Sequence, residues 1–593
     1  MAEPPFREVW CADFEFRNDP GECPWVVCLA ARELIGGREI RMWREELLLL
    51  HQAPFDTGPD VAFVAFYASA ELGCFLELGW PLPINVIDLF AEHRVETNGQ
   101  KLSCGNGLLG ALAVRGLAHI DADEKDAMRQ LICNQRQWSQ AEQRAILDYC
   151  ASDVAGLTAL TPVMARSIDW PRARIRGRYM AAAARMERTG IPIDALLHQR
   201  LLDNWAPIKQ HLIAEVDVAY GVFEEGSFKR ERFAQYLQAN GLPWRRLPSG
   251  TLALDDETFD EQARSHPQLR PLYELRVTLG RLRLSDLPVG ADHRARCLLS
   301  AFQAVTGRNQ PSSSKFVFGP ARWMRGLVRE QPGRAIAYVD WGSQEVAIAA
   351  GLSGDERMAE DYQTDPYLGF AKAVGLAPPD ANEKTHEVIR EQCKAIVLGI
   401  NYGMGPETMA LKAGITKGEA RELLRLHRAT YPAFWRWMDD TVTTALFTGE
   451  MQTVFGWRRR VGRDANPRSL MNFPMQSNGA EMMRVAAIAA TDAGIEVCCP
   501  VHDAFLISAP IDRLQEDVAA MRGIMSSAGR LVTGGLDVRT SVKTACWPDR
   551  YMDKRGKDMW GMIMGLLERL DGTCRRDPAL SQATLTPVAN PPT

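Results

Sequence analysis

Two short β-like runs, far apart in the chain and each leading to an aspartate, constrain the fold more than any other feature. Residues 334–339, RAIAYV, deliver Asp340 at their end, and WGSQEVAIAAGLSG then turns at Gly342 into a helical pattern. GIEVCCP and AFLIS flank Val501, His502 and Asp503 and read as a hairpin with Asp503 near its tip. The stretch between them, from about 375 to 450, is helix-rich, which predicts a helical insertion that leaves and re-enters one sheet domain. Carboxylates on adjacent strands can share two divalent cations about 3.5 to 4 Å apart, the arrangement that activates a hydroxyl and stabilises a leaving oxygen in phosphoryl transfer. Either aspartate alone reads more simply as a turn or cap residue.

At 593 residues the chain is too long for one hydrophobic core and is expected to divide into several domains. It has no apolar run of about 18 residues, and MAEPPFREVWCADFEF lacks the basic and apolar stretches of a secretion signal, so a cytoplasmic protein without a membrane partner is expected. Thirteen cysteines without a CxxC pair argue for reduced thiols, and a metal, if present, is expected to be held by carboxylates. The net charge of −5 does not advertise nucleic-acid binding. Arginines nevertheless cluster at 166–188, 276–296 and 322–329. They read either as a phosphate-tracking surface or as solvated faces of an arginine-rich protein.

Near the start, REVWCADFEF (7–16), PWVVCLAAR (24–32) and REIRMW (38–43) read as three strands, followed by helical patterns to about 165. The segment 166–290 is mainly helical, and the C-terminal CRRDPALSQATLTPVANPPT lacks apolar periodicity and is expected to be disordered. In REQCKAIVLGINYG, the residues Arg390, Lys394, Leu398 and Tyr402 recur every four positions, a helical stripe roughly 18 Å long. It suits an elongated anion with a planar group at one end, Arg390 and Lys394 holding phosphates and Tyr402 packing near a base. The bland alternative is an amphipathic helix with exposed cations.

Taken together, VDWGSQEVAIA, RxxxKxxxLGxNYG and VHDAF resemble, in order, the three polymerase motifs of family A DNA polymerases of the bacterial polymerase I and phage replicase type. Thr306, Gly307 and Arg308, then Tyr431 and Pro432, TVFGWRRR (453–460), and Arg468, Asn472, Pro474 and Gln476 in RSLMNFPMQSNGAE agree as well. The resemblance implies a multidomain α/β and α+β fold with a right-hand polymerase domain: linker and thumb at 166–290, palm at 291–374 and 451–570, fingers at 375–450. It implies that Asp340 and Asp503 bind metal, that Lys394 is catalytic, and that Arg390, Leu398, Tyr402 and Tyr367 meet the nucleotide. By the same resemblance Glu345 is a steric gate against a ribose 2′-hydroxyl, and Arg308, Arg468, Asn472, Gln476 and His502 contact DNA. Two positions depart from the family. Leu398 stands where Phe or Tyr is common, which predicts altered dideoxynucleotide handling, and Ala504 replaces the acid that usually follows Asp503.

Asp13 and Glu15, two apart on a strand, share a face, as do Tyr149 and Asp153, four apart on a helix. These pairs resemble the first and last motifs of DEDD 3′-5′ exonucleases, implying a ribonuclease-H-like domain at 1–165 with metal-binding acids and Tyr149 orienting water. The middle motif is less faithful. Tyr67 and Glu71 occupy the places of Asn and Asp, and the extra methylene of Glu71 displaces its carboxylate by about 1.5 Å, to which metal geometry is sensitive. Asp88 is a fallback ligand.

The resemblance implies two Mg2+ per active site, with Mn2+ able to substitute, and primer-template DNA and deoxynucleoside triphosphates as partners of a monomer in replication or repair. It also leads one to expect no preceding 5′-nuclease domain. Two alternatives stand beside it: a single-subunit phage-type RNA polymerase, opposed by Glu345 and the exonuclease-like start, and an inactive DNA-binding scaffold, opposed by the joint presence of Asp340, Asp503, Lys394 and Arg390.

Overall fold

The structure, a computed structural model, describes residues 5–117, 122–247, 249–280, 284–319 and 321–574. The C-terminal string expected to be disordered falls, from 575 on, outside the described residues.

The first sheet has the order β3-β2-β1-β4-β5, with β1 Glu8–Arg17, β2 Trp25–Glu33, β3 Glu39–Trp43, β4 Val61–Ala65 and β5 Asn85–Asp88. The first three strands form an antiparallel meander, while β4 pairs in parallel with β1 and β5 in parallel with β4. The three predicted strands are present. Strands β4 and β5 interrupt the stretch whose pattern predicts helices, because every residue in VAFVA and NVID is buried and such runs carry no alternation. Helix Gln140–Met164 packs on β1 and β2. A capping box starts it: Glu142 accepts from the Ser139 N–H at 2.7 Å, and Ser139 Oγ accepts from the Glu142 N–H at 3.3 Å.

Helix Trp170–Thr189 presses its backbone onto β5, since a Cβ at Gly177 would stand 1.8 Å from the Val86 carbonyl oxygen. It therefore packs with the first of two compact units: Met1–Pro192, Pro288–Ser312 and Gln331–Trp547. The second unit gathers Ile193–Leu287, Ser313–Glu330 and Pro548–Thr593. The second unit covers much of the 166–290 segment and is joined by two later stretches of the chain. In that unit Arg325 forms a buried ion pair with Asp553, and the Arg276 guanidinium lies 4.3 Å from the ring centroids of Phe228 and Phe259.

The second sheet is antiparallel throughout, in the order Glu496–Val501, Ala504–Pro510, Arg334–Trp341, Thr540–Cys546. Its last strand, TSVKTAC, has little burial to mark it. Trp341 is 1% exposed and donates its indole N–H to the Met525 carbonyl at 3.0 Å, which fixes the end of the strand that carries Asp340. Burying such a side chain contributes about 2 to 3 kcal/mol. Between the strands run helices Glu387–Asn401, Pro406–Ala413, Lys417–Thr430 and Pro432–Thr448, as the insertion predicts. His427 lies among Phe370, Tyr431, Phe434 and Trp435, and burial lowers its pKa to about 3.

Much of the arginine clustering is structural. Arg176 grips Glu92 through two hydrogen bonds of 2.6 and 2.8 Å, Arg178 and Arg185 both bind Asp492, and Arg188 binds Glu77. Arg281 and Arg283 lie outside the described residues. No described helix is long and apolar enough to cross a membrane.

Candidate active sites

The ladder of the second sheet builds the first site. Asp340 pairs with Ala504, and the Trp341 N–H donates to the Asp503 carbonyl at 3.0 Å. His502, exposed and left-handed at φ 57°, turns the hairpin so that Asp503 comes beside Asp340. Burial first, and then Asp503, push the Asp340 carboxyl up to about 8, against a smaller pull from Lys543. Asp340 Oδ1 is buried without a hydrogen-bond partner. A divalent cation fits here, since it would satisfy that oxygen and relieve the repulsion. Ala504 is fully buried at the position where the family commonly has an acid.

Glu345 begins helix Gln344–Ser353, after Ser343 turns the chain at φ 52°. The Tyr402 hydroxyl donates to Glu345 Oε1 at 2.9 Å, and Arg308 Nη2 stands 3.9 Å from the same oxygen. Burial raises the Glu345 carboxyl, opposed by Tyr402 and Arg308. Burial and Glu345 push the Tyr402 hydroxyl up to about 12, opposed by Gln476. Arg308, Glu345, Tyr402 and Gln476, distant in sequence, are thus one connected group. Arg468 reaches it through its backbone: a Cβ at Gly403 would sit 2.5 Å from the Arg468 carbonyl oxygen. Asn472 Oδ1 is buried without a partner. The segment carrying Arg308 is pinned by Arg484, which donates to the Gly307 carbonyl at 2.7 Å and pairs with buried Glu481.

Along helix Glu387–Asn401, Lys394 is half-exposed, 3.5 Å from Glu391, and Leu398 packs against the core. Arg390 Nε donates to Asp365 Oδ2 at 2.6 Å. The other oxygen of Asp365 caps the neighbouring helix Pro366–Ala373 by accepting from the Tyr367 and Leu368 N–H groups at 3.0 and 3.1 Å. Tyr367 is 3% exposed, its hydroxyl interacts with Ser343, and the Arg390 guanidinium lies 5.4 Å from its ring centroid. Asp365 and Lys543 are the additions here. Only Asp365, followed by the Pro of a helix start, carries a local sequence signal, that of an N-cap.

The second site lies on β1. Asp13 and Glu15 point to one face, and Glu71, from helix Ser69–Glu77, accepts the Phe14 N–H between them at 2.7 Å. Burial and then Asp13 push the Glu71 carboxyl well up, with Glu15 and Asp153 adding to the push and the Phe14 N–H opposing it. Burial also raises the Tyr149 hydroxyl, followed by Asp153, Glu15 and Asp13. The five residues expected to converge here do so, and carboxylates that face one another repel unless cations stand among them. Cys150, not singled out by any motif, stands among them, its Sγ 3.6 Å from Asp13 Oδ2. Tyr67 takes a different role, at φ 71°, its hydroxyl accepting the Ala301 N–H at 3.1 Å. Asp88 caps a helix: Oδ1 accepts from the Tyr67 and Phe90 N–H groups at 2.9 Å, Oδ2 is buried without a partner, and burial lifts its pKa to about 7.

Residues 319–548 match the model of DNA polymerase family A. The chain is 26% identical over 435 residues to DNA polymerase I of Chloroflexus aurantiacus, covering 66% of this chain and 45% of the relative. It is 25% identical over 377 residues to the thermostable DNA polymerase I of Thermus thermophilus, covering 58% and 44%. The chain thus spans less than half the length of these curated relatives. Its fold is similar to the POL domain of Pol1 from M. smegmatis, solved in complex with DNA primer-template and dNTP, with a TM-score of 0.68 at 19% identity over 91% of this chain and 95% of that one.

Proposed function

We propose that this chain, whose residues 319–548 match the model of DNA polymerase family A, is a template-directed DNA polymerase that extends a primer 3′ end with deoxynucleotides and carries a 3′-5′ proofreading exonuclease on its first sheet. The observation that carries this reading is the half-buried Asp340 and Asp503 pair, with the partnerless Asp340 oxygen, in the sheet that lies within the family match. In this reading the second sheet is the palm, the helices between Glu387 and Thr448 are the fingers, and the second compact unit supplies the thumb. The strand order β3-β2-β1-β4-β5 supports a ribonuclease-H-like first domain.

Asp340 and Asp503 would hold the metal pair, which when bound lowers the pKa of the primer hydroxyl and stabilises the leaving oxygen. The chain's own groups do the positioning. Arg390, aimed by Asp365, and Lys394 receive the triphosphate. Tyr402 holds Glu345 where a ribose 2′-hydroxyl would crowd it, and Arg308 faces the primer-template. On the first sheet Asp13, Glu15, Glu71 and Asp153 would hold the metals of excision, and Tyr149 orients the attacking water.

Primer extension on a primed single strand, with deoxy- and ribonucleotides compared, tests the reading. Deoxynucleotide extension that is lost in Asp340→Asn is expected. Vigorous ribonucleotide synthesis would favour an RNA polymerase, and extension undiminished in Asp340→Asn would overturn the assignment of the site.

A further inference from the structure

Helix Leu89–Thr97 follows β5 in the first sheet domain, yet its C-terminal end is bonded to two segments far along the chain. Buried Arg94 donates from Nε to the Phe302 carbonyl at 3.3 Å, and from Nη2 to the Gln303 carbonyl at 3.1 Å and to Asn98 Oδ1 at 3.2 Å. Asn98, fully buried just past the helix end, donates from Nδ2 to the Val305 carbonyl at 2.7 Å and to the Arg458 carbonyl at 2.8 Å. Its own carbonyl accepts the Arg460 N–H at 2.8 Å. One asparagine of the first domain thus ties the segment that runs into Arg308 to the hairpin of strands Glu450–Gln452 and Arg458–Arg460.

The segment so held is strained. Ser300 and Phe302 stand at φ 51° and 60°, a conformation that persists only where the surroundings impose it. Trp457 of the hairpin completes the clamp, donating its indole N–H to the Val305 carbonyl at 3.0 Å and stacking on Phe302 with ring centroids 5.4 Å apart. Arg94 contributes a buried charge: burial lowers its pKa, and no acid opposes that shift. For simple cohesion between domains, apolar side chains would serve as well as a buried guanidinium bonded to carbonyls. What directed hydrogen bonds add is a defined position for the backbone they hold. That backbone ends at Arg308, whose Nη2 stands 3.9 Å from Glu345 Oε1.

We propose that Arg94 and Asn98 are positioning residues for primer-template binding, so that the first sheet domain has a second role besides excision: it sets where Arg308 meets the duplex. The proposal rests on the reading of Arg308 as a primer-template contact. Arg94 and Asn98 act through the carbonyls of 302–305 and of Arg458, and they do not touch the nucleic acid themselves.

The test is a double-mutant cycle in the full chain, read as the Kd for a fluorescently labelled primer-template duplex without nucleotides. Arg308→Ala and Asn98→Ala are each expected to raise Kd about tenfold, and the two together to raise it no further than Arg308→Ala alone. Arg94→Lys, which keeps the charge but cannot reach both carbonyls, is the milder variant should Asn98→Ala fold poorly. Its expected loss is about threefold, again absent beside Arg308→Ala. In primer extension, Asn98→Ala should raise KM for the primer-template and leave kcat little changed. Mere domain cement predicts otherwise, a lowered melting temperature with losses that add to that of Arg308→Ala. Additive losses, or Asn98→Ala and Arg94→Lys both binding as tightly as the parent, overturn the proposal and leave the polymerase reading in place. If Arg308→Ala itself binds like the parent, the contact on which the proposal rests is removed and both fall together.

Discussion

The two acidic centres are assembled in different ways. On the second sheet, Asp340 sits on a strand and Asp503 in the turn that opens its ladder partner, and the 3.0 Å bond from the Trp341 N–H to the Asp503 carbonyl fixes their spacing through the backbone. On the first sheet, Asp13 and Glu15 share one strand, while Glu71, Asp153 and Tyr149 arrive on two helices whose packing sets the geometry. A ladder places a few ligands with little tolerance, because slipping the register by one residue would turn a side chain to the other face. Helices bring more ligands with more freedom. That freedom explains how the first sheet can accept a glutamate at 71 and a thiol at 150.

The largest expected effect separates the two centres. Asp340→Asn should lower primer extension by about a thousandfold, as loss of a transition-state electrostatic contact commonly does, and leave excision of a mismatched, 3′-labelled primer in place. Asp13→Ala should do the reverse. If either substitution disables both reactions, the centres are not independent and the comparison fails.

Glu71→Gln probes the looser centre. The glutamine oxygen can still accept the Phe14 N–H now held at 2.7 Å, so the helix stays docked while one negative charge is lost. Excision should fall by roughly ten- to a hundredfold. An unchanged rate would make Glu71 a backbone acceptor with no share in metal binding.

Legibility in the sequence followed the same division. The ladder-built centre could be read from short strings, because a strand that ends in Asp340 and a hairpin that turns at Asp503 are local patterns. Glu345 and Tyr402 carry their own motifs, but the 2.9 Å bond between them depends on how a helix from the insertion meets the sheet. The burial of Tyr367 beside Arg390 is a tertiary fact that no local string shows. Strands β4 and β5 escaped because they are buried on both faces, and Cys150 because a thiol one residue after Tyr149 has no meaning until the helix lies on β1.

A smaller effect is expected at Leu398, half-buried against the core on the helix that carries Arg390 and Lys394. Leu398→Tyr should change dideoxynucleotide termination efficiency by about tenfold if a ring there discriminates sugars, a contact worth about 1.4 kcal/mol. Equal termination by both proteins would remove the idea.

The smallest effect tests whether the first-sheet tolerance is absent beside the nucleotide stripe. Asp365 serves two masters, capping helix Pro366–Ala373 with Oδ1 and holding Arg390 with Oδ2 at 2.6 Å. Asp365→Asn keeps a good cap, because Asn and Asp are equivalent there, but removes the charge that aims the guanidinium. Single-nucleotide insertion should show KM for the deoxynucleotide raised roughly threefold with kcat little changed, the pattern of lost ground-state binding. An unchanged melting temperature would show that the cap survives. A lowered KM would reverse the assignment, because Asp365 would then be competing with the triphosphate for Arg390 instead of presenting it.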